Sequence, residues 1–159
     1  MIDNLGKYYE WADNRIIILL EKLDEELFVK FPDGTQRSLR DLVEHLVVYY
    51  EYFSFKKTKV SFKALQEKLK KMDKPELLNH WKKVMKEFSK AVENSKEDLV
   101  DIPLSKTETT KVSKDEYLFC FSDHATYHRG QLITTYKAVT EEDAVVTDYY
   151  DFLIDHLKK

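Results

Sequence analysis

Two histidines four residues apart, His124 and His128, are the residues of this chain whose type and spacing could do chemistry. On an α-helix, position i+4 returns to the same face about one turn along. Two imidazoles so placed can share one metal ion. The same spacing also serves two core or solvated histidines, so their neighbours matter. Gln131 falls back on the histidine face, as a hydrogen-bond partner for a ligand or bound water. Tyr117, Cys120 and Phe121 extend that face toward the N-terminus. Cys120 is either a fourth, thiolate ligand or a small apolar filler. Gly130 interrupts a helical pattern, where glycine costs about 1 kcal/mol relative to alanine, and is expected to mark close packing. No nucleophile triad presents itself. Acid–base work would fall to Asp13, Tyr117, Tyr127 or a metal-bound water.

The elements that must position these groups are helical. The chain has 159 residues, 43% of them hydrophobic and 35% charged, with three glycines and three prolines. So few breakers favour long helices over a turn-rich β architecture. The length suits one domain over residues 1–159. A net charge of −3 gives no general attraction to nucleic acid or an anionic membrane. One cysteine allows no intrachain disulfide and fits a reducing compartment. No apolar run approaches the roughly 18 residues of a membrane span, and the N-terminus does not read as a secretion signal. The expectation is a cytoplasmic helical domain.

In chain order, apolar residues recur at helical spacing from Asp3 to Leu27, with Trp11 and Asp13 at the edges of the stripe. Asp33-Gly34 marks a turn, and Ser38-Leu39-Arg40-Asp41 resembles a capping box with aspartate in the glutamate position. The second helix buries Leu39, Leu42, Val43, Leu46, Tyr50 and Phe53, with His45 at the edge of that stripe and Glu44 directed to solvent. Eight lysines between Lys56 and Lys74 surround Phe62, Leu65 and Leu69, which reads as a short extra helix with a solvated face. Asp73-Lys74-Pro75-Glu76 starts a third long helix that buries Leu77, Trp81, Val84, Met85, Phe88, Ala91 and Val92, with His80 at the surface. Residues 94–112 lose the period and are expected to carry some extended structure. Ser113-Lys114-Asp115-Glu116 is a full capping box opening the histidine helix. A helical tail follows the acidic loop at Glu141-Glu142-Asp143.

The string His124-Ala125-Thr126-Tyr127-His128-Arg129-Gly130-Gln131 resembles the H-x-x-x-H-R-G-Q signature of the DinB/YfiT-like family, which is unrelated to the DNA polymerase sharing the DinB name. Leu42-Val43-Glu44-His45-Leu46, followed by Tyr49-Tyr50-Glu51-Tyr52-Phe53, resembles the segment that supplies that family's third ligand. Tyr8-Tyr9-Glu10-Trp11-Ala12-Asp13 is similar to its opening Y-x-x-W-A-N, with Asp13 replacing the asparagine. The resemblance implies an all-α, DinB/YfiT-like four-helix bundle, to which the chain adds the short extra helix and the C-terminal helical tail. It implies that His45, His124 and His128 bind a divalent transition metal, zinc or nickel foremost. Three imidazoles are one short of a closed tetrahedral site, leaving a position for water or substrate. Asp13 is then a candidate to orient a metal-bound histidine, and Arg129 either to anchor an anionic substrate or, as preferred, to form a structural ion pair at a helix–helix or subunit contact. The implied activity is a thiol-dependent transferase joining a small-molecule thiol to an electrophile, or a hydrolase. The rival class is a non-catalytic, metal-stabilised bundle that binds a small ligand or forms a homodimer.

Overall fold

A computed structural model describes residues 4–52, 60–94, 98–103 and 108–157. The first apolar stripe forms α1, Leu5–Glu21, and buries Tyr8, Tyr9, Ala12, Ile16 and Leu20. Asp3, the expected start, lies outside the described residues. The expected single helix to Leu27 is instead two, because Asp24 is extended at ψ 146° and opens a second short helix, α2, Glu25–Val29. Glu25 and Glu26 lie in its first turn, where the helix dipole favours negative charge. The break drives Phe28 fully into the core. It also frees the Leu23 carbonyl, which accepts a hydrogen bond from the buried Lys74 ammonium.

The chain then turns at Pro32–Thr35, where Gly34 takes φ +75° and the Thr35 N–H bonds the Pro32 carbonyl at 3.1 Å. Helix α3, Leu39–Tyr52, begins as its sequence foretold. The Asp41 N–H donates to Ser38 Oγ at 3.2 Å, and the Ser38 N–H donates to Asp41 Oδ2 at 2.9 Å. Beyond the expected set, Val47 and Val48 are also buried; Phe53 and Lys56 lie outside the described residues. Helix α4, Phe62–Leu69, is capped by Ser61 and buries Leu65 and Leu69. Arg40 ties the end of α4 to α3, donating to the Met72 carbonyl at 2.7 Å and to Glu44 at 2.8 Å. Glu44 therefore faces this arginine rather than open solvent, its side chain only 12% exposed.

Helix α5, Lys74–Asn94, starts at a reciprocal Asp73–Glu76 cap. Ala91 stays half-buried, and His80 is no surface group: it bonds Glu51 of α3 at 2.8 Å with 14% of its side chain exposed. The aperiodic connection contains an antiparallel hairpin, β1 Leu99–Pro103 against β2 Thr109–Ser113, with Asp101 opposite Lys111. Ser113 and Glu116 then form both halves of the capping box that opens α6, Lys114–Thr140. The 27 residues of α6 span about 40 Å. Its C-cap, Glu141, is left-handed at φ 61°. Helix α7, Tyr149–Leu157, closes one end of the core by setting Phe152 against Tyr8 and Trp11.

The long helices α1, α3, α5 and α6 form the bundle: α5 packs on α1 and α3, and α6 on α3 and α1. An aromatic centre joins all four, with Phe88 stacked on Phe121 at 4.1 Å and Tyr9 and Tyr50 edge-on to both. The architecture is the all-α four-helix bundle with short additional helices and a helical tail, with a two-stranded hairpin besides. Among the described residues no helix is long and apolar enough to cross a membrane. Close packing does not account for Gly130, because a Cβ there would meet nothing within 4 Å. The tightly packed glycine is Gly6, whose Cβ would lie 2.8 Å from Ser89 Oγ on α5.

Candidate metal centre

Helix α6 carries His124 and His128 on one face, their rings 4.4 Å apart, and α3 brings His45 to 4.4 Å from His128 and 5.6 Å from His124. One nitrogen from each imidazole lies within 4.8 Å of the other two. A tetrahedral zinc with bonds of about 2.0–2.1 Å separates its ligand atoms by about 3.4 Å. Closing the triad on an ion is then a matter of side-chain rotation on the order of 1 Å.

The supports of each ring differ. Tyr49, one turn beyond His45, lies flat on His124 at 3.9 Å and 24°, and Phe121 also stacks on Tyr49, at 4.9 Å. His124 Nε2 is buried with no hydrogen-bond partner, an arrangement that leaves a desolvated lone pair or N–H unsatisfied. His128 Nδ1 lies 2.8 Å from Gln131 Oε1, and Gln131 Nε2 donates to the Tyr127 hydroxyl at 3.0 Å. With the carboxamide so oriented, Nδ1 is the donor and Nε2 of His128 keeps its lone pair, the usual role of a partner to a metal-bound imidazole.

Electrostatics favour neutral rings. Burial above all, then His128, Arg37 and His124, hold the His45 pKa down to about 4. Burial also lowers His124, partly offset by Asp123. It lowers His128 too, against the opposing Gln131 hydrogen bond. Neutral imidazole is the form that ligates.

The remaining sequence candidates fall around this triad. Asp13 is not at the edge of a stripe but fully buried, and it touches no histidine: it accepts from Arg129 at 3.1 Å and Trp81 at 3.2 Å. Burial pushes its carboxyl up and the Arg129 charge opposes that. Arg129 follows His128 directly, so this helix–helix ion pair fixes the rotation of α6 from behind the site; the guanidinium also donates to the Tyr8 hydroxyl at 3.1 Å. Tyr117 is buried, and burial followed by Tyr49 raises its hydroxyl pKa, keeping it protonated at neutral pH. Tyr127 is exposed. Cys120 is exposed and lies outside the three-residue cluster. Tyr49 was legible as a neighbour of His45, but its stacking on His124 of another helix was not. Arg37, which bears on both His45 and His128, left no local signal because it precedes the helix that carries His45.

A family model described as the DinB family matches residues 1–142. The chain belongs to the DinB family. The match spans the four long DinB helices and all three histidines and stops before α7. Comparisons with curated proteins and with solved structures yield no match. The donor set of this DinB chain, three neutral imidazoles with one buried and unpartnered nitrogen, fits a transition-metal ion.

Proposed function

We propose that His45, His124 and His128 hold one divalent transition metal, zinc or nickel, and that the protein uses it to activate a small-molecule thiol for transfer to an electrophile. The observation that carries the reading is the buried, unpartnered Nε2 of His124 beside two other imidazoles whose ligand atoms lie within 4.8 Å. Such a nitrogen costs stability unless something completes its bonding. An ion held by three histidines would supply an open coordination position and lower the pKa of a bound thiol, presenting it as thiolate. The chain's own groups would do the rest. Gln131 orients His128, while Tyr49 and Phe121 form an apolar wall beside His124 that excludes water from the sulfur.

Elemental analysis of the wild type and of His45→Ala, His124→Ala and His128→Ala tests the site: about one equivalent in the wild type and a large loss in each variant are expected. Thiol addition to the cobalt-substituted protein then tests the activity class. A sulfur-to-cobalt charge-transfer band supports an open site, whereas an unresponsive spectrum points to a metal that only clamps α3 to α6.

A further inference from the structure

A pocket of about 180 Å³ runs along the groove between α3 and α4, lined by Arg37, Asp41, Glu44, His45, Gln66 and Lys70. Asp41 and His45 are one turn apart on α3, with Arg37 just before that helix; Gln66 lies on α4 and Lys70 caps its C-terminal end. His45 thus belongs to both the pocket and the triad, and a molecule in the pocket lies beside the candidate metal centre.

The pocket's charges are not equally committed. Asp41 Oδ2 takes both the N–H and the hydroxyl of Ser38, Glu44 Oε1 takes Arg40, and Lys70 pairs with Glu67 at 3.2 Å. The Arg37 guanidinium has no hydrogen bond or ion pair among the described residues, and it lines the same pocket as His45. A free guanidinium of fixed charge beside a pocket is a ready carboxylate anchor. A purely anionic ligand would also meet Asp41 and Glu44, and a purely cationic one would meet Arg37 and Lys70. A head that carries both an ammonium and a carboxylate meets neither conflict. At about 180 Å³ the groove has room for a small polar head of amino-acid type.

We infer that this groove is the subsite for a zwitterionic, amino-acid-type head of the thiol substrate, with Arg37 gripping its carboxylate. This rests on the thiol reading above, and its test separates the two. The zinc-loaded wild type and Arg37→Gln are titrated calorimetrically with L-cysteine, with cysteamine (no carboxylate), with 3-mercaptopropionate (no ammonium) and with L-serine (no thiol). Cysteine should bind the wild type about tenfold or more tighter than either half-ligand, since one charge-assisted contact is worth at least that factor. Arg37→Gln should bring cysteine down to the level of cysteamine while leaving cysteamine and the metal content unchanged. Equal binding of cysteine and cysteamine by the wild type, or a ratio that Arg37→Gln does not move, overturns the subsite. Serine reads the pocket without the metal. Arg37-dependent serine binding to metal-free protein supports the subsite even if the histidines prove to hold no ion, and serine binding indifferent to Arg37 counts against it.

Discussion

Arg129 and Asp13 form an ion pair at 3.1 Å in the interior of the bundle, with side chains 1% and 0% exposed. The pair joins α6 to α1 one residue beyond His128, so the orientation of the histidine-bearing helix depends on a contact that never touches the triad. Removing one member of such a pair leaves an uncompensated buried charge. Asp13→Ala should lower unfolding free energy by about 3–5 kcal/mol, and Asp13→Asn, which keeps an acceptor, by less. Urea denaturation of both variants checks the order, and a loss in Asp13→Ala of under about 1 kcal/mol would contradict it.

The two helical glycines should respond with opposite signs. Gly130 is exposed with open space around it, so Gly130→Ala should stabilise by about 0.5–1 kcal/mol through helix propensity. Gly6→Ala should destabilise, because its Cβ would stand 2.8 Å from Ser89 Oγ and 3.1 Å from the Ser89 carbonyl oxygen. Melting temperatures of the two variants decide this.

These glycines also mark the limit of what the sequence made legible. Helix starts were readable because capping is local: Ser38–Asp41, Asp73–Glu76 and Ser113–Glu116 all close as their spacing implies. The histidine pair was readable because both members share one helix. Which glycine is crowded was not, since crowding at Gly6 comes from Ser89 on another helix. The break at Asp24 was hidden by an apolar period that continues through it. Asp13 was taken as a candidate to orient a histidine because its partner, Arg129, comes from another helix, whereas the Arg40–Glu44 pair is an i,i+4 contact within α3 that the spacing already offered.

Gln131 bonds His128 Nδ1 at 2.8 Å and thereby selects the tautomer whose Nε2 is free. Gln131→Ala should weaken metal binding about 10–100-fold, the usual cost of removing such a partner, while Tyr127→Phe, one bond further out, should do less. Competition against a chromophoric chelator measures both. Equal affinities in Gln131→Ala and wild type would mean that the carboxamide merely packs there.

For metal-free protein, His45 gives a pH dependence of definite sign. Its folded pKa is about 4, below the ordinary value of about 6.5 in an unfolded chain. Between these values the unfolded state binds more protons, so stability falls as pH drops. The contribution is fully present above about pH 6.5 and is lost as pH falls toward about 4. His45→Gln should flatten this dependence in denaturation midpoints taken from pH 7.5 to 4.5. A slope unchanged by the substitution would show that His45 is not desolvated.

Removing the metal tests whether the fold or the ion organises the site. The four long helices bury continuous apolar faces, and the aromatic centre of Tyr9, Tyr50, Phe88 and Phe121 involves none of the histidines. Chelation should therefore leave the far-ultraviolet circular dichroism nearly unchanged. An ion bound only by the folded state should nevertheless raise its stability by about 2.7 kcal/mol at a hundredfold excess over Kd. The upward shift in Tm on adding zinc or nickel should appear in the wild type and vanish in His128→Ala, whose bundle core is intact. Collapse of the helical signal on chelation would assign the ion a structural role and weigh against the open, thiol-accepting site. A shift of the same size in His128→Ala would mean that the stabilising ion binds elsewhere.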